Sequence, residues 1–117
     1  MNFLVTGGAG FIGSHLCEKL ILLGHHVTVI DNLSNGNIKN LNSIIDNKRL
    51  IFVNIDITDL DNLKKYFKNI DIVFHLAALA DIVPSIEKPQ EYFSTNVTGT
   101  FNVLNLCKDF QIKKIIY

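Results

Sequence analysis

Short apolar runs alternate with amphipathic stretches along the chain, at intervals typical of βαβ units and a parallel sheet. The runs predict strands at residues 2–5, 26–30, 50–54, 71–76 and 113–117. We therefore predict one α/β domain over residues 1–117, a Rossmann-type doubly wound parallel sheet. The expected strand order is 3-2-1-4-5, with the fifth strand at an edge and helices on both faces.

Helical periodicity fills the intervals between the predicted strands. A first helix is expected to run to about Leu23 and to end at Gly24, a weak helical turn covers residues 38–45, and a short amphipathic helix covers residues 59–68. A loop that includes Pro84 is expected after the fourth strand. The predicted inward-facing residues are Ile12, Leu16, Leu20 and Leu23 in the first helix and Leu60, Leu63 and Phe67 in the amphipathic one.

A long helix is predicted from Pro89 to about Phe110, with proline in a first turn that tolerates it. Its apolar positions fall on two faces, and a helix that is apolar on two sides is usually buried on two sides. One side should meet the sheet, and the other needs a second partner. Phe93, Val97, Phe101 and Leu104 form one face, and Tyr92, Val103 and Leu106 form the other.

Composition and charge exclude several classes of function. The 11 basic and 11 acidic residues give a net charge of zero and form no basic stripe, so nucleic acid is not an expected partner. No apolar stretch is long enough to cross a membrane, and no basic leader precedes the first strand, so we expect a cytoplasmic protein. Cys17 and Cys107 lack metal-ligand spacing and are expected to be reduced structural thiols; His75 is expected to be a core histidine.

A glycine-rich segment follows the first strand. Residues 6–13 read TGGAGFIG and contain the spacing Gly8-x-Gly10-x-x-Gly13 and the variant Gly7-x-x-Gly10-x-x-Gly13. Such glycines permit a tight turn, let the backbone approach a pyrophosphate, and allow close helix–strand packing. The positive end of the following helix then receives the phosphate charge. The segment therefore predicts a dinucleotide pyrophosphate site.

Asp31 ends the second strand, 18 residues after Gly13 and near the expected offset for a ribose-binding acid. Its carboxylate can accept hydrogen bonds from the adenosine ribose hydroxyls and would repel a 2′-phosphate. No lysine or arginine follows before Lys39, so NAD is favoured over NADP. A reductase of this fold that uses NADP remains an alternative.

Five segments, in order, resemble the extended short-chain dehydrogenase/reductases. Within them the chain is most similar to the NAD-dependent sugar-nucleotide epimerases and dehydratases, of which the UDP-glucose 4-epimerases are the best-known kind. The resemblance extends over the whole chain. The segments are residues 6–16 (TGGAGFIGSHL), 31–35 (DNLSN), 56–57 (DI), 75–78 (HLAA) and 96–100 (NVTGT).

The resemblance implies a role for each segment around bound NAD. Asn96 would bind backbone and shape the site; the alternative is a polar residue on a wet helix face. The alternative for Asp56 is an acid at a helix N-terminus before Asp59. Gly7, Gly10, Phe11, Ile12 and Gly13 would line the pyrophosphate, Asp31, Asn32, Ser34 and Asn35 the adenosine ribose, Asp56 and Ile57 the adenine, and Leu76, Ala77 and Ala78 would close over the cofactor.

The catalytic pattern of this family is missing from these residues. Such enzymes move a hydride from a sugar carbon to NAD while a tyrosine near a lysine removes a hydroxyl proton. No Tyr-x-x-x-Lys is present, because Ile70 and Asn96 stand four residues after Tyr66 and Tyr92, and Tyr117 is last. A further departure is Ala80, where UDP-glucose 4-epimerase has a lysine that contacts the cofactor.

We therefore expect the front part of a longer protein, or a piece cut from one, whose catalytic residues and nucleotide-sugar site lie beyond residue 117. This chain alone would bind NAD and catalyse nothing. Members of the family pair an equivalent long helix across a two-fold axis, which implies a homodimer through residues 89–110. A stand-alone dinucleotide-binding or sensing module is the alternative.

Overall fold

A single parallel sheet organises the chain, and a computed structural model describes all 117 residues of it. The strand order is β3-β2-β1-β4-β5, as the sequence predicts, and β5 lies at an edge. β1 is central, so that Val5 pairs with Val29 on one side and with Phe74 on the other. The strands are β1 Asn2–Thr6, β2 His26–Asp31, β3 Leu50–Asn54, β4 Ile72–His75 and β5 Lys114–Ile116.

The helices connect the strands and cover both faces of the sheet. They are α1 Phe11–Leu22, a 3₁₀ turn at Ile38–Leu41, α2 Leu60–Leu63 with a 3₁₀ extension at Lys64–Tyr66, α3 Ile82–Glu87, α4 Pro89–Phe93, a π-helical segment at Ser94–Gly99, and α5 Thr100–Asp109. The long helix predicted from Pro89 is therefore continuous but contains a π segment. Residues 82–87 form α3, where the sequence predicts a loop that includes Pro84; the proline lies in the first turn of α3, where no intrahelical N–H is needed.

Two apolar cores lie on opposite faces of the sheet, because successive strand residues point to opposite sides. Phe3 and Val5 belong to the core beneath α1, whereas Leu4 belongs to the core beneath α2 and α5. None of the helices is long and apolar enough to cross a bilayer.

Helix α1 buries only part of the predicted face. Leu20 is buried as predicted and Leu16 is half-buried against the core, but Ile12 is 71% exposed and Leu23 is 60% exposed, whereas Cys17 and Ile21 are buried. The first turn of α1 presses Gly13 against the preceding turn, and the residues on the same side as Gly13 then face the sheet. In α2, Leu63 and Phe67 are buried as predicted, but Leu60, at the start of the helix, is 42% exposed.

The long helix meets the sheet with one apolar face only. Val103 and Leu106 are buried as predicted, and Tyr92 is half-buried. The other face has no partner within this chain. Its residues are exposed: Phe93 by 63%, Val97 by 51%, Phe101 by 60% and Leu104 by 42%.

Candidate functional site

A cavity opens at the carboxyl ends of β1, β2 and β4, where ligands bind in open α/β sheets. Most of the predicted cofactor residues line it, namely Gly7, Gly10, Phe11, Asp31, Asn32, Ser34, Asn35, Asp56, Ile57, Leu76, Ala77 and Ala78. Ile12, Gly13 and Asn96 do not line the cavity. The cavity also has lining residues that were not predicted from the sequence, namely Ile30, Gly36, Ile55, Leu79 and Thr95.

The glycine turn is built by close backbone approaches. Gly7 adopts a φ of +70°, and a Cβ there would come within 2.8 Å of the Ala77 nitrogen. A Cβ on Gly13 would approach the Gly7 carbonyl oxygen to 2.2 Å, so only glycine allows α1 to start against the turn. Gly13 therefore acts through packing. The amides of the first α1 turn have no acceptor within the helix and are available to an anion.

Asp31 is held by two backbone amides at the end of β2. Its carboxylate accepts hydrogen bonds from the Ala9 N–H at 2.9 Å and the Leu33 N–H at 2.8 Å, and its side chain forms no salt bridge. A Cβ on Gly36 would lie 2.9 Å from both carboxylate oxygens, so the loop backbone passes directly over this side chain. A carboxylate offers about four acceptor sites, so acceptor capacity remains for a ligand.

Residue Ala9 connects the glycine turn to the loop after β2. Its carbonyl oxygen accepts hydrogen bonds from the Asn37 N–H at 3.0 Å and from Asn40 Nδ2 at 2.8 Å. The loop and the glycine turn are therefore held together by both backbone groups of Ala9, because the Ala9 N–H also donates to Asp31. No local sequence signal marks Asn40, which lies 31 positions from its partner.

The Asp56 carboxylate is shared between Thr58 and the loop. Asp56 accepts hydrogen bonds from the Thr58 N–H at 2.8 Å, the Thr58 hydroxyl at 2.7 Å and Asn32 Nδ2 at 2.8 Å. Partial burial raises the pKa of Asp56, but these hydrogen bonds outweigh it and keep the pKa below its ordinary value. The N-cap of α2 is Asp59, which accepts from the Asn62 N–H, so Asp56 does not cap that helix.

The loop after β4 is fastened to the π segment by Asn96. The Asn96 amide accepts a hydrogen bond from the Leu79 N–H at 2.9 Å and donates one to the Leu79 carbonyl oxygen at 2.8 Å. The side chain thus binds backbone, as the resemblance implied, and is not on a wet helix face. Its neighbour Thr95 faces the cavity.

His75 is a buried histidine with both ring nitrogens paired, as expected. Nδ1 lies 2.7 Å from the Thr6 hydroxyl, and Nε2 lies 2.9 Å from the Thr100 hydroxyl. Burial lowers the pKa of His75, because it disfavours the charged ring. No group of three or more His, Cys, Asp or Glu side chains in the chain could hold a metal ion.

The sequence matches a family model and many curated proteins. Residues 3–117 match the model of the NAD dependent epimerase/dehydratase family. A putative UDP-glucose 4-epimerase from Methanocaldococcus jannaschii is 43% identical over 115 residues, which are 97% of this chain and 36% of that protein. The chain therefore spans about a third of the length of this relative.

Solved structures share the fold closely. UDP-glucose 4-epimerase from Thermus thermophilus, in complex with NAD, is 36% identical with a TM-score of 0.88, over 100% of this chain and 37% of its own. A dTDP-glucose 4,6-dehydratase from Streptomyces venezuelae, with NAD bound, is 35% identical with a TM-score of 0.93, over 100% of this chain and 38% of its own.

Proposed function

Because the chain belongs to the NAD dependent epimerase/dehydratase family, we propose that residues 1–117 form the NAD-binding portion of a sugar-nucleotide epimerase or dehydratase. The observation that carries the proposal is the carboxylate of Asp31, fixed by two amides beside the glycine turn. This pairing of a turn for a pyrophosphate with an acid for a ribose suits a dinucleotide.

The residues of the cavity fit each part of NAD. The backbone of Gly7, Gly10 and Phe11 and the start of α1 would hold the pyrophosphate, where Gly7 and Gly13 leave no room for a side chain. Asp31 would accept the adenosine ribose hydroxyls, with Asn32, Ser34 and Asn35 around it. Asp56 and Ile57 would border the adenine, and residues 76–78 would close over the cofactor. When bound, NAD supplies a transient acceptor for a hydride from the sugar.

Cofactor choice is decided by charge at the ribose. The Asp31 carboxylate would repel a 2′-phosphate, and no cationic side chain lines the cavity to offset that repulsion. Calorimetric titration of the full chain with NAD and with NADP tests this directly. We expect NAD to bind and NADP to bind at least about tenfold more weakly. Equal affinity for the two, or tighter NADP binding, would instead support the reductase alternative.

Catalysis requires groups that these residues do not supply. None of the three tyrosines is followed four positions later by lysine, so we propose that this chain alone leaves nucleotide sugars unchanged. The nucleotide-sugar substrate and the proton-transfer groups would belong to the remainder of a longer protein. An assay of UDP- and dTDP-hexoses with the chain alone and with any longer gene product separates the possibilities. Inactivity of every form, with NAD still bound, would favour a stand-alone dinucleotide-binding or sensing module.

We also propose a homodimer through the exposed apolar face of the long helix, in a cytoplasmic protein. Two large phenyl groups on this face, Phe93 and Phe101, are each more than half exposed. Two free buried cysteines are compatible with a reducing compartment. Sedimentation velocity should show a dimer that Phe101→Glu dissociates. Leu22→Glu, at a still more exposed apolar position on α1, is the matched control and should leave the dimer intact. A monomer at all concentrations would contradict the proposal.

A further inference from the structure

We propose that His75 is a positioning residue for the cofactor: its neutral ring orients the Thr6 hydroxyl, which fixes the backbone of Leu76 and Ala77 beside the glycine turn. The inference rests on the NAD-binding function proposed above. It concerns a side chain that does not line the cavity but connects β1, β4 and α5 behind it.

The direction of each hydrogen bond follows from counting donors. The Thr6 hydroxyl oxygen accepts from the N–H groups of Leu76 and Ala77, both at 3.2 Å, and the Leu76 N–H is shared with the Thr6 carbonyl oxygen at 3.1 Å. When both lone pairs of the hydroxyl face these amides, its proton points to the third neighbour, His75 Nδ1, at 2.7 Å. Nδ1 is therefore unprotonated. The ring is neutral, carries its proton on Nε2, and donates it to the Thr100 hydroxyl at 2.9 Å.

The backbone held in this way touches the proposed pyrophosphate site. A Cβ on Gly7 would come within 2.8 Å of both the Ala77 nitrogen and the Leu76 carbonyl carbon. The turn and this peptide are therefore in close contact, and neither can shift without the other. A proton on Nδ1 would place two donors face to face, since the Thr6 hydroxyl could no longer donate to the ring. The hydroxyl oxygen would then turn one of its two lone pairs to the ring and loosen its hold on the Ala77 N–H, whereas the Leu76 N–H keeps the Thr6 carbonyl oxygen at 3.1 Å.

No charged neighbour determines the ionisation of His75. β1 and the π segment carry no ionisable side chain. On β5, Lys114 pairs with Ile72 at the opposite end of β4, and Tyr117, beyond the strand, is 87% exposed. On α5 the ionisable groups are Cys107, Lys108 and Asp109, about two turns beyond Thr100. Burial alone lowers the pKa of His75, so the neutral ring that the hydrogen bonds require is the stable form near neutral pH.

The test measures the NAD affinity of the full chain by calorimetry between about pH 7.5 and about pH 5, the range around the ordinary pKa of histidine. NAD binding should select the neutral ring, so the Kd for NAD should rise about tenfold per pH unit below the pKa of His75. His75→Asn offers an acceptor oxygen to Thr6 and cannot titrate. It should keep the affinity at neutral pH within about threefold and lose the acid dependence.

Two controls separate positioning from general effects. His26→Gln removes an exposed histidine at the start of β2, at the opposite end of the sheet from the cavity, and should keep the acid dependence of the wild type. The ¹⁵N chemical shifts of the His75 ring in the unmodified chain should show Nδ1 without a proton and Nε2 with one, and they require no substitution.

Different results would contradict the role of His75 and the proposed binding of NAD. NAD binding that stays flat across the pH range in which the ¹⁵N shifts show the His75 ring taking up its proton, or a protonated Nδ1 at neutral pH, would overturn the role of His75 and leave NAD binding intact. An acid dependence that survives in His75→Asn would overturn it as well. No NAD binding at any pH would overturn the proposed function and, with it, the premise of the inference.

Discussion

Replacing Gly13 with alanine should disrupt both the fold and the site. A Cβ at this position would lie 2.2 Å from the Gly7 carbonyl oxygen and 2.7 Å from Gly8 Cα, and approaches under 3.0 Å essentially never occur. All three nearest atoms are backbone, so no side chain can rotate away. The start of α1 must move by about 1 Å, which for an overpacked contact costs about 3 kcal/mol. That is a large fraction of a total stability of about 5–15 kcal/mol.

Urea unfolding and NAD titration together measure this effect. We expect Gly13→Ala to lower the free energy of unfolding by about 3 kcal/mol and to raise the Kd for NAD at least about tenfold, because the moved helix no longer presents its amides to the pyrophosphate. The glycine turn that would bind the pyrophosphate is also the part of the chain that the added Cβ displaces. The loss of stability and the loss of NAD affinity should therefore appear in the same variant.

Two other glycines serve as matched controls. Gly24, at the far end of α1, has a φ of +84°, but its Cβ would meet only Arg49 Nη1 at 3.7 Å. Gly24→Ala should cost about 1 kcal/mol of backbone strain and leave NAD affinity unchanged. A Cβ on Gly10 would lie 3.2 Å from the Gly7 oxygen, which is a milder contact than that of Gly13. Gly10→Ala should therefore lower the free energy of unfolding less than Gly13→Ala does, but it should still weaken NAD binding. Wild-type stability and NAD affinity in Gly13→Ala would refute this reasoning.

Three further outcomes follow from the geometry of the site. Asp31→Asn removes the charge and one of the two oxygens that accept from the Ala9 and Leu33 N–H groups, so calorimetry should show NAD bound about tenfold more weakly and the preference for NAD over NADP reduced; an unchanged ratio would contradict the role of charge. Asn96→Ala leaves the N–H and carbonyl of Leu79 without partners and should lower the free energy of unfolding by about 1–3 kcal/mol in urea, whereas an unchanged unfolding midpoint would contradict it. Burial raises the pKa of Cys17 to about 12 and that of Cys107 to about 11, so Ellman's reagent should label neither thiol in the native chain and both in urea.

Strand order and the glycine turn could be predicted because each depends on short, local patterns. Apolar runs bounded by glycine or aspartate identify the strands, and the right-handed crossover rule leaves few topologies for them. The buried face of α1 could be predicted only in part, at Leu16 and Leu20, since this helix is apolar on more than one side. The contact of Gly13 with Gly7 selects the buried side, and it leaves Ile12 and Leu23 exposed.

Site residues that are positioned by contacts with distant parts of the backbone could not be predicted from the sequence. Asn40 binds the Ala9 carbonyl oxygen across 31 residues, and nothing in its local sequence indicates that partner. Thr95 faces the cavity because it lies within the π segment, whose altered winding no periodicity predicts. The Asp31 carboxylate was predicted from spacing, but its two backbone donors depend on the turn and the loop coming together.

The central position of β1 determines when the site can form during synthesis. β1 leaves the ribosome before the other four strands of the sheet, but the His75 partner of Thr6 follows only 69 residues later. At about 5–20 residues per second, that delay is roughly 3–14 s. During it, β1 can pair with β2 but keeps an open edge on its other side, a ready template for unwanted strand pairing. The ribose half of the cavity is therefore assembled before the peptide that closes over the pyrophosphate half, and the nascent chain is most prone to aggregate in that interval.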